Sequence, residues 1–127
     1  MRTSPPPHPN PSGMTHYLLC DLRNDPALIE QYEAYHAAGA AWPEVTAAIR
    51  EAGITAMEIY RAGDRLLMVM QTTPDYRAER HAELNATVPR VVEWEALMDR
   101  FQQRLPFAEA GVKWVPMRRI FDLAEQP

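Results

Sequence analysis

Residues 54–71 decide the fold, and they read ITAMEIYRAGDRLLMVMQ. β-Branched and other apolar side chains predominate in residues 54–60 and 65–71, and the polar connection between the two runs contains Gly63. Short runs of this composition, joined by a glycine-containing turn, are typical of a β-hairpin. We therefore predict two antiparallel strands in the middle of the chain.

A strand and a helical segment that is interrupted once precede this hairpin. Residues 15–23, THYLLCDLR, form a short apolar run typical of a strand. Asp25 and Pro26 predict a helix start, because aspartate caps free backbone N–H groups and proline fits the first helical turn. The sequence Trp-Pro-Glu at residues 42–44 starts a helix again, and Gly53 ends it.

Helical and strand-like segments also follow the hairpin. Thr-Pro-Asp at residues 73–75 begins a polar helical stretch, and a further helix is predicted over about residues 89–104. The last run, residues 112–123, has strand character. Pro116 within it favours a sheet edge or a bulge, because proline cannot donate a hydrogen bond to a neighbouring strand.

The order of these elements, β-α-ββ-α-β, is that of the split βαβ or ferredoxin-like fold. We therefore predict an α+β domain in which an antiparallel sheet carries its helices on one face. The other face of the sheet must also be covered. A second copy of the same sheet is the simplest cover, so the pattern predicts a homodimer.

Composition limits the classes of function that the chain can have. Its 127 residues suffice for one domain. Thirteen Lys and Arg against 17 Asp and Glu give a net charge of −4, which argues against a general nucleic-acid binder. Cys20 is the only cysteine, so one chain cannot form a disulfide framework or a four-thiolate zinc site. No run approaches the roughly 18 apolar residues of a membrane-spanning helix.

Prolines are concentrated at the start of the chain, within residues 5–11. Proline lacks the N–H donor that helices and sheets need, so we predict a disordered tail over residues 1–13 and one folded domain over residues 14–127. The tail is either a flexible extension or a segment that lies upstream of a true start at Met14. It lacks the apolar core of a signal peptide, and the cytoplasm is therefore the expected location.

Tyr32 and His36 are the residues best suited to chemistry. They lie four positions apart, so they share one face of the predicted helix and their side chains can meet. Histidine titrates near neutral pH and tyrosine can donate or accept a hydrogen bond, which makes them a candidate acid–base pair. The alternative is that both only border the apolar face of the helix. Trp42 also has two possible roles: its flat ring could form the wall of a sugar pocket, or it could be part of the core.

Motifs for other chemistries are missing from the sequence. It contains no glycine-rich phosphate loop, no nucleophile elbow and no His-Glu-x-x-His helix. The four histidines, His8, His16, His36 and His81, show no spacing typical of metal ligands. We therefore expect neither a metal site nor a nucleotide cofactor.

Several motifs stand in an order and spacing that resemble the L-rhamnose mutarotase family. The resemblance covers nearly all of residues 14–123 and rests on the combination of the motifs. They are Tyr32-x-x-x-His36, Trp42-Pro43-Glu44, Glu58-Ile59-Tyr60, Leu66-Leu67-Met68-Val69-Met70, Trp94-Glu95-x-Leu97-Met98 and Ile120-Phe121-x-Leu123.

The resemblance implies a dimeric α/β barrel that interconverts the α and β anomers of 6-deoxy-L-sugars without a metal or a nucleotide. Its substrate would be a monosaccharide. In typical rhamnose-type members three residues separate the histidine from Trp-Pro-Glu, whereas five lie between His36 and Trp42 here. Residues 113–117, KWVPM, are also richer than in the rhamnose type. Both features are closer to the branch of the family associated with L-fucose.

We assign roles to seven side chains on this basis. His36 is the candidate principal acid–base group and Tyr32 its partner or orienting donor. The candidate substrate-binding residues are Trp42, Glu58, Tyr60, Trp94 and Trp114. Alternation places Glu58 and Tyr60 on one face of their strand, where they could bind ring hydroxyls if that face is the barrel interior. For Glu58 the alternative, a position that faces solvent, is equally compatible with the sequence. For Trp94 the surrounding apolar pattern favours a place in the core.

Two other functions are also compatible with this sequence. Small ferredoxin-like dimers include monooxygenases that act on quinone-like or haem substrates, and these would need a larger apolar cavity. A non-catalytic sugar-binding dimer would bind its ligand without accelerating any reaction. The fold alone does not separate these functions, because this architecture carries many of them.

Overall fold

The computed structural model describes residues 13–127, and its elements follow the predicted order. The predicted tail, residues 1–13, lies outside the described residues except for Gly13. Within the described range the chain forms β1 (Met14–Leu22), α1 (Pro26–His36), α2 (Pro43–Glu51), β2 (Ile54–Ala62), β3 (Arg65–Thr72), α3 (Ala78–Thr87), α4 (Pro89–Met98), β4 (Gln102–Gln103), β5 (Val115–Pro116) and a 3₁₀ turn (Leu123–Glu125).

The strands form one antiparallel sheet in the order β2-β3-β1-β4, and β5 also pairs with β1. The predicted hairpin is confirmed as β2 and β3, in which Met57 lies opposite Met70 and Tyr60 opposite Leu67. A register shift near the start of β2 interrupts the ladder after Ile54. This topology confirms the predicted α+β, ferredoxin-like fold with an antiparallel sheet.

The segment after α4 differs from the prediction. The helix predicted over residues 89–104 ends at Met98, and Gln102 and Gln103 form β4 against the end of β1. Phe101 turns into the core at the same point, with 2% of its surface exposed. Two contacts therefore end the helix despite its local pattern: Phe101 is buried, and Gln102 pairs with Leu22, about 80 positions earlier. Neither contact can be recognised from the neighbouring sequence.

Two smaller boundaries also differ. The polar helix begins at Ala78 and not at residues 73–75. The predicted last strand is reduced to Val115–Pro116, although the N–H of Met117 still donates to the carbonyl of Tyr17 at 2.8 Å. Pro116 lies at an edge, as predicted, since among residues 13–127 β5 has one partner strand, β1.

The helix that carries the candidate pair begins as the sequence indicates. The Asp25 side chain accepts hydrogen bonds from the N–H groups of Ala27 and Leu28 at 2.9 and 3.3 Å, and Pro26 occupies the first helical position. These bonds satisfy N–H groups that the helix itself leaves free. The cap thus sets the start of α1, from which the positions of Tyr32 and His36 follow.

The helices cover only one face of the sheet. Leu18, Met68 and Ile59 lie directly across from one another on this inner face, whereas Tyr17 and Tyr60 on the outer face are 50% and 53% exposed. The sheet of one chain is therefore open, and a closed barrel requires a second sheet. Within residues 13–127 no helix has both the length and the apolar character to cross a bilayer.

Candidate active site

A cavity of about 630 Å³ lies between the inner face of the sheet and the helices. This volume is within the range of small-molecule sites. Two groups of core residues flank it, one around Tyr32 and Phe101 and the other around Ile54 and Leu84. Apolar side chains from the three long strands form its floor: Leu18, Met57, Ile59, Met68 and Met70.

The predicted pair, Tyr32 and His36, lines this cavity at the last turn of α1. Their ring centres are 4.2 Å apart, and the Nδ1 atom of His36 is 2.7 Å from the backbone carbonyl of Tyr32. A carbonyl only accepts hydrogen bonds, so Nδ1 must carry the proton in this contact. In the neutral ring the proton on Nδ1 leaves Nε2 as an acceptor.

Burial determines the charge of His36. It lowers the pKa of the imidazole below its usual value, and the hydrogen bond to the Tyr32 carbonyl opposes this shift only in part. The ring is therefore neutral near neutral pH. His36 is thus a base with one available nitrogen, held in a fixed orientation by its other nitrogen.

Tyr32 is suited to donate a proton. It is only 3% exposed, and burial raises the pKa of its hydroxyl to about 12, against the lowering effect of a hydrogen bond from Gln102. The amide nitrogen of Gln102 donates to the Tyr32 oxygen at 3.3 Å. Because this oxygen acts as an acceptor in that contact, its own O–H can donate to a ligand.

Gln102 is a site residue that the sequence analysis missed. It lines the cavity, is 6% exposed, and within the described part of the chain its buried amide oxygen has no hydrogen-bond partner. Such an atom costs about 1–3 kcal/mol unless something bonds to it, so a ligand hydroxyl would be stabilised here. No local signal could have identified it, because its position follows from the pairing of β4 with β1.

Aromatic side chains form one wall of the site. Trp94 is 6% exposed, lines the cavity and meets His36 edge-on at 5.4 Å between ring centres, and Trp114 lines the cavity as well. Trp42 does not line it. Its ring packs against Trp94 at 5.1 Å, and the guanidinium of Arg90 lies 3.9 Å from its centre. Trp42 therefore supports the wall from behind.

Glu58 and Tyr60 lie away from this cavity. They occupy the outer face of β2, whereas Met57 and Ile59 occupy the inner face. The Tyr60 hydroxyl donates to the Glu58 carboxylate at 2.7 Å, and Tyr60 is 53% exposed. The predicted role of Glu58 and Tyr60 required them to face inward, and they face outward. Successive side chains of a strand point to opposite faces, and here Met57 and Ile59 point inward.

Glu95 is a further charged group in the cavity wall that the sequence analysis left without a role. Its carboxylate lies 3.1 Å from the ammonium of Lys113, which also lies 2.9 Å from Asp99. Glu95 acts electrostatically on both Tyr32 and His81. Among residues 13–127 no cluster of three or more histidine, cysteine or acidic side chains could hold a metal ion.

Comparison with known proteins identifies the family. The model of the L-rhamnose mutarotase family matches residues 16–123, which is most of the chain. The chain belongs to the L-rhamnose mutarotase family. The resemblance found in the sequence is therefore confirmed, and every cavity residue described above lies within the matched range.

Individual relatives of this mutarotase-family chain agree with that assignment. It is 49% identical over 109 residues to an L-fucose mutarotase of Xanthomonas campestris pv. campestris, covering 86% of each chain. It is 36% identical over 110 residues to a UPF0734 protein of Dictyostelium discoideum, covering 81% of this chain and 84% of that one. Among solved structures, an L-rhamnose mutarotase of Formosa agariphila has the same fold, with a TM-score of 0.61 and 16% identity over 86% of this chain and 97% of that one.

Proposed function

We propose that the protein interconverts the α and β anomers of a 6-deoxy-L-hexose, with L-fucose as the preferred sugar. The observation that carries this proposal is the neutral His36, which is held by its Nδ1 atom beside the protonated hydroxyl of Tyr32 in one cavity. Membership of the mutarotase family supports the reaction. The 49% identical L-fucose mutarotase supports the choice of sugar.

The reaction needs one base and one acid at adjacent oxygens. Nε2 of His36 takes the proton of the hydroxyl on C1, and the Tyr32 hydroxyl gives its proton to the ring oxygen as the bond between C1 and that oxygen breaks. The open-chain aldehyde then rotates about the C1–C2 bond. Closure on the other face of the carbonyl reverses both transfers, so both groups return to their starting states.

The environment of each group suits its step. A hydroxyl with a pKa of about 12 stays protonated near neutral pH, and it gives up its proton only to a strongly basic oxygen, such as the one released from C1. The neutral imidazole accepts a proton without first losing one. Each well-placed proton-transfer group typically accelerates a reaction by about 10²–10⁴-fold.

The remaining cavity residues suit a 6-deoxy sugar. The floor of methionine, leucine and isoleucine side chains provides apolar contact for the methyl group at C5 and for the C–H face of the ring. The amide of Gln102 provides a hydrogen-bond partner for a hydroxyl. We place Trp94 and Trp114 in the wall of the sugar pocket and Trp42 behind it, with no contact between Glu58 or Tyr60 and the sugar in the same chain.

We also propose that the protein is a homodimer whose subunits pack through the outer faces of their sheets. Tyr17, Val69 and Glu58 lie in one row across this face, and Leu19, Leu67 and Tyr60 lie in the next. Most of these side chains are apolar or aromatic, and water would otherwise contact them. A second sheet would bury them and complete a barrel.

Exchange NMR tests the catalytic proposal directly. One anomeric proton of L-fucose is saturated, and transfer of saturation to the other anomer is measured with and without protein. We expect protein-dependent transfer that falls by at least about 100-fold in His36→Ala and Tyr32→Phe. Tyr35→Phe is the matched control, because Tyr35 is not among the described residues that line the cavity and its ring packs against Trp94 and Phe101. Unchanged exchange in His36→Ala would overturn the mechanism.

A further inference from the structure

A second polar group lines the same cavity and has no part in the mechanism above. It consists of Tyr76, which precedes α3, and of His81 and Asn85, which lie one turn apart on α3. The Tyr76 hydroxyl lies 3.0 Å from Nδ1 of His81. His81 and Asn85 are only partly exposed, so their polar atoms are presented to the cavity in a restricted geometry.

This group lines the cavity from the side of α3, whereas Tyr32 and His36 line it from α1. Helix α3 packs against α4, which places Trp94 beside His36 and Glu95 in the cavity wall. Glu95 acts electrostatically on both Tyr32 and His81, so one side chain of α4 lies near both groups.

The two cavity histidines are prepared for opposite tasks. A phenol is a stronger acid than a neutral imidazole N–H, so the Tyr76 hydroxyl donates to Nδ1 of His81. The neutral His81 ring then carries its proton on Nε2, where it is a donor. Nε2 of His36 is an acceptor, because Nδ1 of that ring donates to a carbonyl. His36 can therefore remove a proton from a hydroxyl, whereas His81 can donate a hydrogen bond to one.

We infer that Tyr76, His81 and Asn85 form a distal subsite that binds the hydroxyls on C3 and C4 of the sugar and decides which C4 epimer is accepted. This inference rests on the proposed function, which places C1 at His36. With C1 held there, C4 is the ring carbon opposite to it. Nε2–H of His81 and the amide of Asn85 together offer donors and an acceptor to two neighbouring hydroxyls.

Comparing three 6-deoxy-L-sugars as substrates distinguishes the effect of this subsite from that of the catalytic pair. L-Fucose and 6-deoxy-L-glucose differ only in configuration at C4, and 6-deoxy-L-glucose and L-rhamnose differ only at C2. Because C2 is bonded to the reacting carbon, its configuration is read near His36. Loss of the distal subsite should therefore change the first comparison and leave the second unchanged.

The experiment measures kcat/KM for anomer exchange of all three sugars in the wild type, His81→Phe and Tyr76→Phe. We expect the ratio of L-fucose to 6-deoxy-L-glucose to fall about 5- to 10-fold in His81→Phe, as for the loss of one or two hydrogen bonds, and less in Tyr76→Phe. The ratio of L-rhamnose to 6-deoxy-L-glucose should stay within about twofold. Tyr76→Phe removes a single oxygen atom and thus tests the subsite even if His81→Phe does not fold.

The outcomes separate the inference from the function on which it rests. A wild type that exchanges the sugars, with a C4 ratio that is unchanged in both variants, would overturn the distal subsite alone. Equal changes of the C4 and C2 ratios would also overturn it, since they would mean a general distortion of the cavity. A wild type that exchanges none of the three sugars would overturn the mutarotase proposal and the subsite together.

Discussion

At the scale of single residues, burial is the main cause of the lowered pKa of His36. The sequence suggested the pair Tyr32 and His36 from a spacing of four, but this spacing is equally typical of residues that only border a core. The structure adds the Nδ1 contact at 2.7 Å and a lowered pKa, which together define a neutral base. Neither property can be read from sequence, because both depend on what surrounds the ring.

The pH dependence of kcat/KM should report this base. The unperturbed pKa of histidine is about 6.5. Since burial lowers the pKa of His36, its neutral form persists below that pH, and we expect kcat/KM to be level above about pH 6.5 and to fall only at more acidic pH. The measurement is anomer exchange at low buffer concentration, with the uncatalysed rate subtracted. A midpoint above about 6.5 would contradict the conclusion that burial, only partly opposed by the hydrogen bond to Tyr32, lowers the pKa of this imidazole.

Gln102 is expected to contribute to activity and little to stability. In Gln102→Leu the lost hydrogen bond to Tyr32 is offset by removal of an amide oxygen that is buried without a partner. We expect kcat/KM to fall by about tenfold while the free energy of unfolding changes by less than about 1 kcal/mol. Exchange NMR and urea unfolding check the two expectations.

The neighbouring Gln103 supplies the control for this substitution. It lies on the same short strand, is exposed and does not line the cavity. Gln103→Leu should leave kcat/KM unchanged. A loss of stability in Gln102→Leu that is as large as its loss of activity would indicate a structural role in place of substrate binding.

At the scale of elements, the starts of α1 and α2 were more predictable than the end of α4 and the short strand β4 that follows it. Asp25 and Pro26 mark the start of α1 and Pro43 that of α2, because caps and first turns depend on neighbouring residues in the sequence. The end of α4 and the existence of β4 depend on Phe101 and on the partner strand β1. These elements could not be predicted, since the deciding contacts are distant in sequence.

The cap of α1 should be measurable in the stability of the whole domain. Asp25→Ala removes both side-chain hydrogen bonds to the first turn, and we expect the free energy of unfolding to fall by about 1 kcal/mol. Asp25→Asn keeps an acceptor oxygen at the same place and should lose only part of this stability. Urea unfolding of the three proteins gives the comparison, and equal stability of Asp25→Ala and the wild type would mean that the cap does not limit unfolding.

At the scale of the whole molecule, a single chain does not account for the large apolar and aromatic side chains on the uncovered face of its sheet. Its inner face forms the cavity floor, and its outer face exposes half of Tyr17 and half of Tyr60 to water. The sequence predicts a homodimer, and we propose that its subunits pack through this outer face. This packing leaves the cavity on the opposite face of each sheet, so each subunit would keep a complete set of cavity residues.

A charge in the middle of the outer face should separate the proposed subunits. Val69 lies there on β3, between Tyr17 and Glu58 on the neighbouring strands. We expect the wild type to have the mass of a dimer in size-exclusion chromatography with light scattering, and Val69→Asp to shift towards the monomer mass. Val92→Asp is the matched control, because Val92 is 44% exposed on a helix. A monomeric wild type, or a Val69→Asp variant that stays dimeric, would contradict this interface.

The sequence by itself predicted the order β-α-ββ-α-β, the hairpin and the starts of the first two helices, because alternation and caps are local properties. The order of its motifs carried the resemblance to the family, and a spacing of four suggested the pair Tyr32 and His36. Only the tertiary structure decided that Met57 and Ile59, and not Glu58 and Tyr60, face the cavity. It also placed Gln102 beside Tyr32 and Tyr76 beside His81. The physical reason is that the face of a strand and the walls of a cavity are set by which distant segments pack together, and burial by those segments then sets the charge and the free atoms of each side chain.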